Sequence, residues 1–255
     1  MNLRYLLTLF FLLHAAYLVA QFNETIRSDR PGQSITPFAV GKNILQIQSG
    51  VDYFNNEYAG SKGSGGLSNT VFRYGITETF EISTMIEYKG ETMAGSSGTV
   101  SGLSAVDFGL RYNIYVGSGL IPTVGFQTTF RLPNLGGDYE IDQWAPRFML
   151  VTNQQLADKM FFTTNWGASW SGNDAIPQGN FTANVSYSLS DKIGLFVETY
   201  GNLRQSDFNI FWDTGIAYLL SNNLQLDLYT GFANNDQSKD FFISGGFSWR
   251  TKRKN

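Results

Sequence analysis

The chain has 255 residues, 42% of them hydrophobic and 15% aromatic, with 27 glycines, no cysteine and a formal net charge of -3. Without cysteine there is no disulfide framework, thiol nucleophile or thiolate metal site, and so small a net charge gives no footing for a nucleic-acid partner. His14 is the only histidine and lies in the opening segment, which excludes a Ser-His-Asp site from everything after it.

The chain opens with Arg4, an uncharged run over residues 5–19 and then Ala20-Gln21. These are the parts of a secretory signal peptide, expected over residues 1–20. A membrane-anchoring helix is the alternative, but the run falls short of the roughly 20 residues a helix needs to span a bilayer. Residues 21–42, with Arg27, Ser28, Asp29, Arg30, Pro31 and Gly32, show no period and read as an irregular periplasmic lead-in. The sequence leaves open whether this lead-in folds back into a lumen.

Period-two alternation begins at Asn43, with Leu45, Ile47, Val51 and Tyr53 opposite Gln46, Gln48, Gly50 and Asp52. Residues 55–67, rich in glycine and serine, read as a loop. A second strand sets Phe72, Tyr74 and Ile76 against Val71, Arg73 and Gly75, and a third sets Phe80, Ile82, Ile86 and Tyr88 against Glu81, Ser83, Glu87 and Lys89. Residues 90–102 read as another loop. The fourth strand opposes Val106, Phe108, Leu110 and Tyr112 to Asp107, Gly109 and Arg111. The fifth opposes Val124, Phe126 and Phe130 to Gly125, Gln127 and Arg131.

A sixth strand over 143–153 has Phe148 and Leu150 opposite Arg147 and Met149. The seventh, 160–170, has an unsettled register because Phe161 and Phe162 are adjacent. The eighth carries Phe181, Ala183, Val185 and Tyr187, and the ninth sets Leu195 and Val197 against Phe196 and Glu198. Residues 211–232 form a hairpin, strands ten and eleven, in which Trp212, Ile216 and Tyr218 oppose Asp213 and Leu224, Leu226 and Leu228 oppose Asp227. Its turn is Ser221-Asn222-Asn223. A twelfth strand carries Phe241, Ile243, Phe247 and Trp249.

Links after odd-numbered strands read long and those after even-numbered strands short. Ionisable residues inside the strands fall on the face opposite the apolar one. A soluble sandwich would give the second regularity alone, whereas an up-and-down transmembrane barrel gives both. The expected fold is therefore all-β, an antiparallel transmembrane β-barrel of about 12 strands over residues 43–249, with a basic tail at 250–255. Tyr53, Tyr88, Tyr112, Tyr187, Tyr218 and Trp249 would form interfacial girdles in contact with outer-membrane lipid.

Ser28-Asp29-Arg30-Pro31, Thr36-Pro37 and the run from Gln46 through Tyr53 resemble the opening of the outer-membrane family named for a Putative MetA-pathway of phenol degradation. Phe196 through Tyr200, Asp213 through Tyr218 and Asn222 through Asp227 resemble its last strands. The resemblance implies a barrel in the outer membrane of a Gram-negative bacterium that passes small molecules, and it names no solute. Many such barrels end on an aromatic residue. Here Trp249 is followed by six more residues, so Phe247 and Trp249 are taken as the signal to the barrel-assembly machinery and the tail as periplasmic.

No cofactor or metal is expected, and no enzymatic activity. The carboxylate pairs Glu81 with Glu87 and Asp213 with Asp227 read as lumen charges rather than hydrolytic pairs, and Asp236 with Asp240 as a solvated loop rather than a calcium site. The expected lumen lining is Asp52, Arg73, Glu81, Glu87, Lys89, Asp107, Arg111, Arg131, Arg147, Glu198, Asp213 and Asp227. Arginines on strands two, four, five and six would make one side basic and the carboxylates of strands nine to eleven would make the other acidic. The result is either a transverse field or a salt-bridged plug. Function then reads as passive passage of small polar or aromatic solutes, with a structural or adhesive barrel acting through its outer loops as the alternative.

Overall fold

Twelve alternating segments give twelve strands, and the ladder they form closes on itself. The structure is a computed structural model and describes residues 23–58, 61–92, 98–234 and 238–253. The expected signal peptide, Asp236 and the last two residues of the tail lie outside the described residues.

The strands are β1 (Leu45–Tyr58), β2 (Ser61–Gly75), β3 (Phe80–Thr92), β4 (Thr99–Tyr115), β5 (Thr123–Arg131) and β6 (Ala145–Ala157), followed by β7 (Met160–Ser169), β8 (Gln178–Ser188), β9 (Ile193–Arg204), β10 (Asp207–Ser221), β11 (Leu224–Asn234) and β12 (Ser238–Arg250). Sequence neighbours pair antiparallel, and β1 pairs with β12 as well as with β2, so the barrel has no edge. Closure is what lets a sheet cross lipid, because every backbone N–H and C=O then finds its partner inside the ladder.

The two faces are the reverse of those of a water-soluble protein. Val51 is 64% exposed, Trp166 56% and Phe232 55%, whereas Arg73, Glu81, Glu198 and Asp213 are at most 2% exposed. Lipid is the medium that such an outer face requires. Tyr53, Tyr88, Tyr112, Tyr187, Tyr218 and Trp249 are all exposed on it. The seventh strand also takes its place: Phe162 pairs with Val185 and Trp166 with Phe181 on the outer face, leaving Phe161, Thr163 and Asn165 to point inward.

Two expected loops are strand. Over residues 55–67 the β1–β2 ladder continues to Tyr58 paired with Ser61, and over 90–102 the β3–β4 ladder continues to Thr92 paired with Thr99. Glycine reads as a loop former because it carries no side chain to pack, yet it loses nothing in backbone pairing. At Gly65 the missing side chain is used, since a Cβ there would lie 2.5 Å from the ring of Phe54. β4, at 17 residues, is longer than the 9–11 or so that span a bilayer, so part of this ladder stands clear of the lipid. The extended non-strand links at that end are residues 132–144 and 170–177.

The lead-in is not a free periplasmic segment. From residue 23 to Ile44, which is 1% exposed, it runs inside the barrel at the end where residues 76–79, 158–159, 189–192 and 222–223 make the short turns. Ile26 N–H donates to Asn222 O at 2.8 Å in one of those turns, and Asn43 N–H donates to Gly75 O at 2.8 Å just before β1 begins.

Candidate functional site

The bore is polar because alternate positions of each strand face it, and amides, hydroxyls and charged groups together occupy most of them. Among its buried polar residues are Gln46, Gln48, Asn113, Asn165, Asn184, Ser244 and Ser248. The lead-in has no regular partner for its own backbone, so these side chains take that part. Gln46 Nε2 donates to Arg27 O at 3.0 Å and Gln225 Nε2 to Arg30 O at 2.8 Å. Asn165 clasps Ile35 both ways, accepting its N–H at 2.8 Å and donating to its carbonyl at 2.9 Å. Asn113 Nδ2 donates to Pro37 O at 3.2 Å, and a Cβ on Gly125 would lie 2.9 Å from Pro37.

Charge holds the same segment. Arg30 reaches Asp227 on β11, with Nη2 at 2.9 Å and Nε at 3.2 Å from Oδ1, and donates to Ser244 on β12 at 3.0 Å. Asp29, one residue earlier, reaches the far wall. Arg111 Nη2 lies 2.6 Å from its Oδ2 and Arg73 Nη1 3.3 Å. Glu81, between them on β3, takes Arg73 Nε at 2.8 Å and Arg111 Nε at 3.5 Å, and accepts the Val40 N–H at 2.8 Å. On β9, Glu198 accepts the N–H groups of Gln33 at 2.6 Å and Ser34 at 2.9 Å, and Asn184 Nδ2 at 3.1 Å. Burial alone would raise the Asp29 carboxyl, but Arg111 and Arg73, with hydrogen bonds from Arg111 and the Thr36 amide, hold it well below the usual carboxylate range.

The residues expected to line the lumen separate into two groups. Arg73, Glu81, Arg111, Glu198 and Asp227 meet at the lead-in, while Asp213 is buried opposite Glu198 in the β9–β10 ladder and, among the described residues, has no cation within ion-pair distance. Asp52, half-buried, stands opposite Ser244. The rest lie toward the other end of the barrel. Glu87 accepts from Ser104 at 2.7 Å, and Lys89 pairs with Glu91 at 2.5 Å. Arg131 meets Asp107 at 3.1 Å with Arg147 nearby. On the side expected to be basic, Arg73 and Arg111 are therefore neutralised by Glu81 and Asp29, and Arg131 by Asp107, while the acidic side is partly neutralised by Arg30.

Sequence reasoning missed Asp29, Arg30 and the inward amides as partners of one another. The cluster Arg27-Ser28-Asp29-Arg30 was the available signal, since charges so dense in an aperiodic stretch need counter-charges.

Between the lead-in and the wall from β4 to β10 lies a cavity of about 690 Å3. The lead-in contributes Arg27, Arg30, Ser34 and Phe38, and the wall contributes Asn153, Gln154, Phe161, Thr163, Asn184 and Phe196, with residues 116–119 at the β4–β5 turn.

Residues 28–251 match the family described as Putative MetA-pathway of phenol degradation. The chain belongs to that family. No curated protein matches it in sequence. Among solved structures, an outer-membrane channel of Pseudomonas putida is similar at 12% identity and a TM-score of 0.67, over 88% of this chain and 100% of that one. The translocator domain of autotransporter NalP from Neisseria meningitidis is similar at 13% identity and a TM-score of 0.56, over 88% of this chain and 90% of that one. The KdgM porin bound to disordered oligogalacturonate is similar at 11% identity and a TM-score of 0.53, over 80% of this chain and 99% of that one. At such identities the likeness is one of fold, and the fold of this family member is that of an outer-membrane barrel.

Proposed function

We propose that this family member sits in the outer membrane as a passive channel for small molecules, with the lead-in as the element that narrows its bore. The observation that carries the reading is the polar bore crossed by a segment held through side-chain hydrogen bonds and ion pairs rather than by strand pairing. Contacts of that kind can be remade one by one, and a polar lumen is what a water-borne solute needs. β12, with Phe247 and Trp249 on its outer face, is the segment we assign to recognition by the barrel-assembly machinery.

Liposome swelling with a panel of neutral, acidic and aromatic solutes tests the reading. Swelling above that of protein-free vesicles supports it, and none with any solute from correctly folded protein contradicts it. A second reading, a surface-acting barrel, is favoured by the β1–β4 ladder that stands clear of the lipid. Deleting residues 55–67 separates the two: loss of surface binding with swelling intact would favour that reading.

A further inference from the structure

The cavity at the short-turn end has an electrostatic character of its own. Arg27 and Arg30 are the charged residues among those that line it, and no carboxylate does so. Arg30 is already matched by Asp227 at 2.9 Å. Arg27 is not: among the described residues no carboxylate lies within ion-pair distance of it, and its guanidinium carbon sits 3.8 Å from the centre of the Phe38 ring. A stacked guanidinium keeps its edge N–H groups free to donate while the ring beneath fixes its plane. The remaining walls offer uncharged donors and acceptors, Asn153, Gln154 and Thr163, beside the rings of Phe161 and Phe196.

We propose that this cavity binds a small organic anion with an aromatic or apolar body, its anionic group paired with Arg27 and its body against Phe38, Phe161 and Phe196. The volume of about 690 Å3 lies within the range of roughly 300–1,000 Å3 typical of small-molecule pockets. A carboxylate suits the fork of donors that Arg27 presents. A cation of the same shape would meet an uncompensated positive charge with no carboxylate in the lining to offset it. Preference for the anion therefore comes from one side chain, and tolerance for the body comes from the rings.

The inference names the solute class of the proposed channel and rests on that reading. Its test is chosen so that the two fail separately. Benzoate, benzyl alcohol and benzylamine are titrated into the full-length barrel in detergent by calorimetry, for the native chain and for Arg27→Gln, Arg27→Lys and Phe38→Ala. Heat-modifiable gel mobility certifies that each variant is folded. Benzoate is expected to bind tightest and to lose about tenfold in affinity in Arg27→Gln, with Arg27→Lys, which keeps the charge but loses the stacked fork, falling between the two. Benzyl alcohol is expected to be unaffected by either change and weakened by Phe38→Ala.

Equal binding of benzoate and benzylamine, or benzoate binding unchanged in folded Arg27→Gln, overturns the assignment and leaves the channel reading standing. Binding as expected in a barrel that passes no solute overturns the channel reading and leaves a solute-binding barrel.

Discussion

Asp29 and Arg30 are chain neighbours that bind opposite walls of the bore. Asp29 meets Arg111 on β4 at 2.6 Å, and Arg30 meets Asp227 on β11 at 2.9 Å. Two consecutive residues of opposite sign thus neutralise a basic side and an acidic side that would otherwise face each other across a polar lumen. The segment is held at its middle by charge and on either side by amides, and the predictions below follow from that arrangement.

Asp29→Asn leaves Arg73 and Arg111 sharing Glu81 alone, and Arg30→Gln leaves Asp227 buried without a cation. Breaking a buried pair from one side typically costs about 3–5 kcal/mol. Each substitution is expected to loosen the lead-in while leaving the barrel closed. Limited proteolysis checks it, with cleavage between residues 23 and 44 appearing in the variants and heat-modifiable mobility unchanged. Resistance equal to that of the native chain would count against the latch.

Glu198→Gln replaces an acceptor that serves two backbone N–H groups and an amide with a side chain that has only one acceptor oxygen. Hydrogen bonds to a charged group are worth about 1.5–3 kcal/mol, so exchange at Gln33 and Ser34 is expected to speed up by about tenfold or more. Hydrogen exchange read by mass spectrometry checks it. Asn180, at the surface end of the same sheet, serves as the control position for an equivalent polar change.

Arg30 needs two glycines beside it. A Cβ on Gly246 would fall 2.6 Å from Arg30 Nη2, and one on Gly50 would fall closer still to the same guanidinium. Gly50→Ala, whose new methyl has its three nearest atoms all on the Arg30 guanidinium, is therefore expected to mimic Arg30→Gln in proteolysis, whereas Gly102→Ala, with nothing within 4 Å of the new methyl, is expected to behave as the native chain. Equal behaviour of the two alanines would contradict the close fit of Arg30.

The pH dependence follows from Asp29, whose carboxyl the arginines depress below its usual range against the opposing effect of burial. A depressed folded value means that its stabilisation is present above the unfolded carboxyl value of about 3.9 and is lost only as pH falls through the lower folded value. The Asp29 latch is thus expected to hold from neutral pH down to about 4.5. Channel recordings at pH 7.5 and 4.5 check it: the same open level at both supports the assignment, and a larger level at the lower pH contradicts it.

Most of the barrel was legible because its strands alternate strictly, as β10 and β11 do with Trp212, Ile216 and Leu228 facing out and Asp213 and Asp227 facing in. β7 resisted because its bore face carries Phe161, so adjacent phenylalanines erased the contrast between faces. The ladder beyond the lipid resisted for another reason: Gly63, Gly65 and Gly66 signal a turn locally, while pairing with β1 is decided by closure of the whole sheet. The lead-in was least legible. Arg30 and Asp227 are separated by 197 positions, and the lead-in's partners lie at most a few to a strand on β1, β2, β3, β4, β7, β9, β11 and β12, so no local period records them.

The central claim, a passive channel narrowed by its own lead-in, is tested most directly by single-channel conductance of the native barrel beside the Asp29→Asn, Arg30→Gln double variant in planar bilayers. The account predicts small steps from the native chain and distinctly larger ones from the double variant. Identical steps from both, or none from either folded protein, would contradict it.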